Sequence, residues 1–358
     1  MMRIATLGNA SVVHTTRWVE HFRSRGHTVR LFSLEPAPAG FADIVRIPTH
    51  GGPAALRYPL AVPALKRELA AFRPDLIDAH FVPNYGLMGA LSGRQPLAIA
   101  AWGSDLLVNA HGLGWLRAAF ALSRARLVLC DAENLARAAR ATGARAGTVR
   151  ALPWGVDRAR FLPQGERTPG LVLSVRMHEP VYDLRTVIQA AARVLADLPH
   201  ATLVVAGDGT LRPESEALAA RLLPAGRYRF VGRITPDEMA EWLARAEVVV
   251  SASRSDSTSQ SLLEAMSSGA VPVVSDIEGN REWVSDGDGA RLFGCGDAEG
   301  CARAVLGVLH DPAWADAARA RNTRVIEARG DWHRNLARIE SWFDALAAGR
   351  ELPPEVHS

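Results

Sequence analysis

Apolar and polar positions fall into short alternating blocks along the chain. Arg3–Leu7 is an apolar run that ends at Gly8. A helical stretch follows, with Trp18, Val19 and Phe22 on one face, until Gly26 stops it and Val29, Leu31 and Phe32 begin a second strand. Leu76-Ile77, residues 97–101 and residues 127–130 are further strand candidates, and an Ala/Arg-rich helix is expected from Glu133. This is the strand–helix–strand rhythm of a parallel, doubly wound sheet. It pauses where Pro and Gly cluster, at Leu152-Pro153-Trp154-Gly155-Val156-Asp157 and at Pro163-Gln164-Gly165. It then restarts, with buried strands expected at 171–175, 201–206, 248–251 and 271–275. A last helix, 332–346, carries Trp332, Leu336, Ile339 and Phe343 at helical spacing.

The pattern predicts an α/β protein with two Rossmann-like, doubly wound domains facing a central cleft, at residues 1–157 and 158–330. Residues 331–358 form a closing helix and a frayed tail. Composition agrees: hydrophobic residues make up 48% of the 358 and charged residues 22%, a globular profile. No apolar run approaches the ~18–20 residues that cross a bilayer. The apolar part of the N-terminus is too short for a signal peptide, so the expected location is cytoplasmic. Cys130, Cys295 and Cys301 lack metal-ligand spacing and read as buried or idle thiols.

Charge changes the picture twice. Lys66 is the only lysine, so 40 of the 41 basic residues are arginine. Residues 1–155 hold 18 Arg/Lys against 9 Asp/Glu, whereas residues 156–358 hold 23 against 29. The basic first half is either an incidental Arg-rich surface or a face for an anionic membrane or a phosphorylated acceptor. No nucleic-acid partner is expected.

In open parallel sheets, ligands sit beyond the C-terminal ends of the strands, so the loops that follow strands are the candidate sites. Gly8-Asn9-Ala10-Ser11 is small enough to let backbone approach a phosphate. His14 lies on the helix that follows, as a packed histidine or one that faces the cleft; Trp18 reads as core. Trp102-Gly103-Ser104-Asp105 follows residues 97–101. Asp105 either caps the next helix or contacts an acceptor, with a catalytic role in the second case, and His80 is similarly placed. Gly207-Asp208-Gly209 lacks the third glycine of a dinucleotide fingerprint, because that position is Arg212, so the dehydrogenase reading fails.

The segment from Ser251 to Met266 is the most informative. A strand ends near Ser251, a polar loop follows, and a helix begins near Ser259 with Ser and Thr suited to capping it. Its free N–H groups and positive dipole end form an anion site for a diphosphate. Asp256 lies just before that site, and Glu264 lies roughly 7 Å further along the axis at ~1.5 Å rise per residue. Ionised carboxylates are acceptor-only, which suits binding of sugar and ribose hydroxyls.

These residues resemble a known family. Asp256-x7-Glu264, followed by Ala265-Met266-Ser267-Ser268-Gly269-Ala270-Val271-Pro272-Val273-Val274, is similar to the E-x7-E signature of the retaining family-4 glycosyltransferases, which have the GT-B fold. Trp154-Gly155-Val156-Asp157 with Phe161 resembles the family's linker. Arg176 with Glu179-Pro180 resembles its donor-phosphate region, and Val231-Gly232 with Thr235 to Met239 its base-side loop. The resemblance implies that a nucleotide-diphosphate sugar, UDP-linked as first guess, binds mainly to the second domain. A hydroxyl acceptor then binds mainly to the first, and the final helix crosses back onto the first domain. It implies transfer of a hexose-type sugar with retained anomeric configuration, the leaving phosphate taking the acceptor proton, without metal or other cofactor. Glu264 then binds the donor ribose and Asp256 the transferred sugar. Ser257, Thr258, Ser259, Gln260 and Ser261 lie by the sugar and phosphate, Arg176 meets the diphosphate, Gly207 and Gly232 line the donor side, and Asn9 and Ala10 meet the phosphate. His14, His80, Trp102 and Asp105 are acceptor-side.

The chain departs from the family pattern at four points. Asp256 replaces the first Glu. The lysine expected after Arg176 is absent, with Tyr182 near its place and Arg185 the nearest extra cation. Asn9-Ala10 stands where many members have Gly-Gly, and Trp102 where many have a histidine. Two other classes stay open at this level: a non-catalytic GT-B partner subunit, and a GT-B epimerase or phosphorylase.

Overall fold

The computed structural model describes residues 1–38, 40–49, 56–108 and 111–354. Of the tail read as frayed, Glu351-Leu352-Pro353-Pro354 is in neither helix nor strand, and residues 355–358 lie outside the described residues. The chain divides into two compact units, Met1–Leu152 joined by the chain from Leu336 onward, and Pro153–Asn335.

The first unit is built on seven parallel strands: β1 (Arg3–Leu7), β2 (Thr28–Ser33), β3 (Ile44–Arg46), β4 (Leu76–His80), β5 (Leu97–Ala100), β6 (Leu127–Cys130) and β7 (Val149–Ala151). They lie in the order β3-β2-β1-β4-β5-β6-β7. Ile4 stands opposite Val29 on one side and Leu76 on the other. The central strands are buried on both faces, which is why they read as unbroken apolar runs rather than alternating ones. Helices Val13–Ser24, Arg57–Phe72, Gly112–Arg124 and Glu133–Thr142 connect them. The final helix, Trp332–Ala347, begins in the second unit and from Leu336 belongs to the first. There Phe343 stacks on Phe22 with ring centroids 5.3 Å apart, and Glu340 pairs with Arg25 at 3.0 Å and His27 at 2.8 Å.

The second unit repeats the plan with β8 (Leu171–Ser174), β9 (Thr202–Ala206), β10 (Tyr228–Gly232), β11 (Val248–Ser251), β12 (Val271–Ser275), β13 (Ser285–Asp286) and β14 (Gly289–Phe293). Their order is β10-β9-β8-β11-β12-β14-β13, again all parallel. Successive side chains go to opposite faces: Val248 and Val250 join a core with Val172, Val205 and Val273, while Val249 joins one with Leu173, Val204 and Val274. Each sheet thus has a point where strand order reverses, between β1 and β4 in the first and between β8 and β11 in the second. That reversal opens a crevice beyond the C-terminal strand ends, and it fixes where each unit can hold a ligand.

The Pro/Gly-rich linker is a built element. Trp154 is fully buried, and Val156 exchanges main-chain hydrogen bonds with Gly330 and Trp332 at 2.8 and 3.1 Å.

Candidate active site

At the β8/β11 reversal, two loops converge. Arg176 follows β8. The segment 252–259 follows β11 and leads into helix Gln260–Ser268. Arg176 Nη2 donates to Asp256 Oδ2 at 2.6 Å, and Nη1 donates to Ser259 Oγ at 2.7 Å and Ser261 Oγ at 3.0 Å. Both charged side chains are largely buried, so this is a desolvated, charge-assisted contact rather than a surface ion pair. The guanidinium lies 4.2 Å from the centroid of the Tyr182 ring. Tyr182 therefore occupies the flat face of the arginine, a role the sequence reading did not assign; its position near the absent lysine was the available signal.

The Ser and Thr residues near the helix start were expected to cap it. Ser259 stands at the N-cap position but makes no side-chain cap hydrogen bond, because its hydroxyl is engaged by Arg176 and Ser261. No serine hydroxyl closes the first turn of this helix, which suits an anion-binding terminus; the Leu262 N–H donates to the Ser259 main-chain carbonyl at 3.0 Å. Ser257, Thr258, Ser259 and Ser261 are buried, while Gln260 and Glu264 are half-buried one turn apart on the helix.

Close packing of backbone sets this loop. A side chain at Gly279 would put its Cβ 2.0 Å from the carbonyl oxygen of Ser257, so only glycine lets helix Glu278–Arg281 press against the loop. Trp283 Nε1 donates to Thr258 Oγ1 at 3.3 Å from the same direction. Gly207, at the end of β9, has φ +121 and would place a Cβ 2.4 Å from the Arg176 carbonyl oxygen. Its N–H donates to the Gly232 carbonyl at 2.8 Å. Val231 and Gly232, expected on a loop, are the last two residues of edge strand β10, and Gly232 turns out of it with φ +72.

At the β1/β4 reversal of the first unit, the small-residue loop is tied down. Asn9 Oδ1 accepts from the Ser11 N–H at 2.9 Å and its hydroxyl at 2.7 Å, and the Ala10 N–H donates to Ser33 Oγ at 3.0 Å. His80, fully buried at the end of β4, lies 3.1 Å from Asp78 Oδ2, which also accepts from Trp18 Nε1 at 2.9 Å. Trp18 is core, as read. Trp102 lies 5.4 Å from the His80 ring and stacks on His14 at 5.8 Å. His14 has exposed surface; desolvation by the surrounding protein and then the Arg17 charge lower its pKa, so it is a neutral imidazole at pH 7. Asp78 was missed, although an Asp inside the apolar run Leu-Ile-Asp-Ala signals a buried polar contact.

Asp105 has no exposed surface. Its carboxylate accepts from the Val82 N–H at 2.9 Å and the Trp102 N–H at 3.0 Å. It joins the loops after β4 and β5, and the N-cap of the short helix Ser104–Leu107 is Gly103 instead. Burial, opposed by these hydrogen bonds, raises its pKa to about 6.

Comparison with known proteins bears on what this arrangement serves. Residues 168–311 match the family described as glycosyl transferases group 1, and residues 3–132 match the glycosyl transferase 4-like family. The chain is 25% identical over 358 residues to the phosphatidyl-myo-inositol mannosyltransferase of Mycolicibacterium smegmatis, covering 93% of this chain and 89% of that one. It is 30% identical over 276 residues to the D-inositol 3-phosphate glycosyltransferase 2 of Catenulispora acidiphila, covering 66% and 63%. Among solved structures, it is similar to the Anabaena protein HepE in complex with UDP and glucose, with TM-score 0.81, 17% identity and coverage of 97% and 100%. It is also similar to sucrose-phosphate synthase from Thermosynechococcus elongatus, with TM-score 0.85, 18% identity and coverage of 98% and 100%. With both halves matched in order and two seven-stranded parallel sheets of the GT-B kind, the chain belongs to the family-4 glycosyltransferases of the GT-B fold.

Proposed function

We propose that this glycosyltransferase moves a hexose-type sugar from a nucleotide-diphosphate donor, UDP-linked in the first instance, to a hydroxyl acceptor with retention of configuration at the anomeric carbon. The observation that carries the reading is the convergence of Arg176, Asp256, Glu264 and the open N-terminus of helix Gln260–Ser268 at one sheet reversal. Arg176 and the helix N–H groups take the diphosphate, Glu264 accepts from ribose hydroxyls, and Asp256 contacts the sugar. The bond between the anomeric carbon and the diphosphate oxygen breaks as the acceptor oxygen attacks from the same face, and the acceptor proton passes to the departing phosphate. Stabilising the developing phosphate charge is the main catalytic effect, and arginine with the helix terminus supplies it without a metal ion. UDP is favoured because similar structures such as HepE were solved with it. The acceptor is assigned to the first unit, beside His14 and Trp102, with His80 and Asp105 as positioning residues.

The test is a thermal-shift panel of UDP, GDP, ADP, CDP and dTDP, followed by transfer assays with the matching nucleotide sugars. UDP raises the melting temperature, a chelator leaves turnover unchanged, and Glu264→Gln lowers kcat/KM by about 10–100-fold, the range for a hydrogen bond to a charged group. If no nucleotide raises the melting temperature, the donor reading is overturned.

A further inference from the structure

Helix Gly112–Arg124 is apolar on its outer face as well as its inner one. Ala118, Ala121 and Leu122 face the core. On the opposite side, Leu113, Leu116 and Phe120 stand 57%, 58% and 36% exposed, at the i, i+3, i+7 spacing of a single stripe, with Trp115 43% exposed on the flank. Single exposed apolar residues are ordinary, but four large ones on three turns of one helix mark a contact surface. Its electrostatic setting is one-sided. From Leu106 to Cys130 the sequence contains no Asp or Glu but holds Arg117, Arg124 and Arg126. The acid just before this stretch, Asp105, is wholly buried. The Arg124 guanidinium lies 5.4 Å from the Phe120 ring, so a positive charge sits at the margin of the apolar stripe.

We infer that the outer face of helix Gly112–Arg124 seats this enzyme on an anionic lipid surface, with Leu113, Leu116 and Phe120 entering the headgroup boundary and the arginines meeting lipid phosphates. An apolar wedge edged by arginine, with an indole at its flank, fits the boundary between acyl chains and charged headgroups. The absence of any acid in the stretch favours a negatively charged surface over a neutral one. Attachment is peripheral: among the described residues no helix is long and apolar enough to cross a membrane. The helix belongs to the first unit and the donor segment to the second, so this inference does not depend on the proposed transfer.

The test uses the full chain with vesicles of phosphatidylcholine alone and of phosphatidylcholine mixed with phosphatidylglycerol. Co-sedimentation is expected only with the mixed vesicles and weakens as salt is raised. L113S/L116S abolishes it, while R124Q/R126Q weakens it by about tenfold or more, given roughly 1 kcal/mol per basic residue near an anionic surface. Circular dichroism and melting curves identify any variant that has lost its fold; because the four residues are exposed, both variants keep it. Binding by L113S/L116S equal to wild type, equal binding to both vesicle types, or no binding to the mixed vesicles overturns the inference. So does a dimer in sedimentation velocity that L113S/L116S dissolves, which assigns the face to a second copy of the chain.

Discussion

Arg176 spreads its planar donors over Asp256, Ser259 and Ser261 while its face rests on Tyr182. A lysine ammonium is a point charge and reproduces neither the fork nor the stacking, so a chain with one lysine in total has concentrated this site on a single arginine. Asp105 shows a different use of charge: a buried carboxylate holding two main-chain N–H groups. Its folded pKa, about 6, lies above the ordinary value of 3.8. The folded state therefore takes up the proton more readily than the unfolded one. The stability from this group is complete below about pH 4 and is lost as pH rises through about 6. Asp105→Asn removes that dependence and presents an N–H where the carboxylate had a second acceptor. Melting curves of wild type and variant should show the wild-type advantage shrinking from pH 4 to pH 7, with a residual cost to the variant of about 1–3 kcal/mol at neutral pH. A gap that stays constant across this range rejects the assignment.

At the scale of elements, helix Gln260–Ser268 begins with a serine that does not cap it. A capping serine lost to alanine costs ~1 kcal/mol. Ser259→Ala should instead leave the melting temperature almost unchanged and raise the donor KM several-fold, because it loosens Arg176. A clear drop in melting temperature with unchanged KM contradicts this account. The central strands were legible because burial on both faces writes them as apolar runs: β1, β6, β11 and β12 run as expected. Strands β3, β7, β10, β13 and β14 escaped the reading. The first four are sheet edges and β14 lies next to the edge strand β13, and sequences such as Val149-Arg150-Ala151, Tyr228-Arg229-Phe230 and Gly289-Ala290-Arg291 mix charge with apolar side chains. The carboxylates and arginine of the donor segment were readable from residue type and spacing. The pairing of Arg176 with Asp256 was not, since it joins residues 80 apart through the order of strands. Nor was the tight seat of Gly279 against Ser257, which depends on a third loop.

At the scale of the whole chain, the final helix completes the first unit through Leu336, Ile339 and Phe343, all fully buried. Phe343→Ala removes the ring stacked on Phe22 and should destabilise the first unit by about 3–5 kcal/mol, read by calorimetry as a lowered transition. A change under about 1 kcal/mol would show that the helix contributes little to that core. The first unit is thus made of two stretches of sequence separated by the whole of the second. During synthesis, the sheet of the first unit emerges early, but Phe22 and Arg25 wait for Phe343 and Glu340 until the second unit has been made. Exchanging one unit with that of a relative therefore takes two splices, near 152 and near 335, and a single splice leaves a first unit whose closing helix comes from a foreign chain.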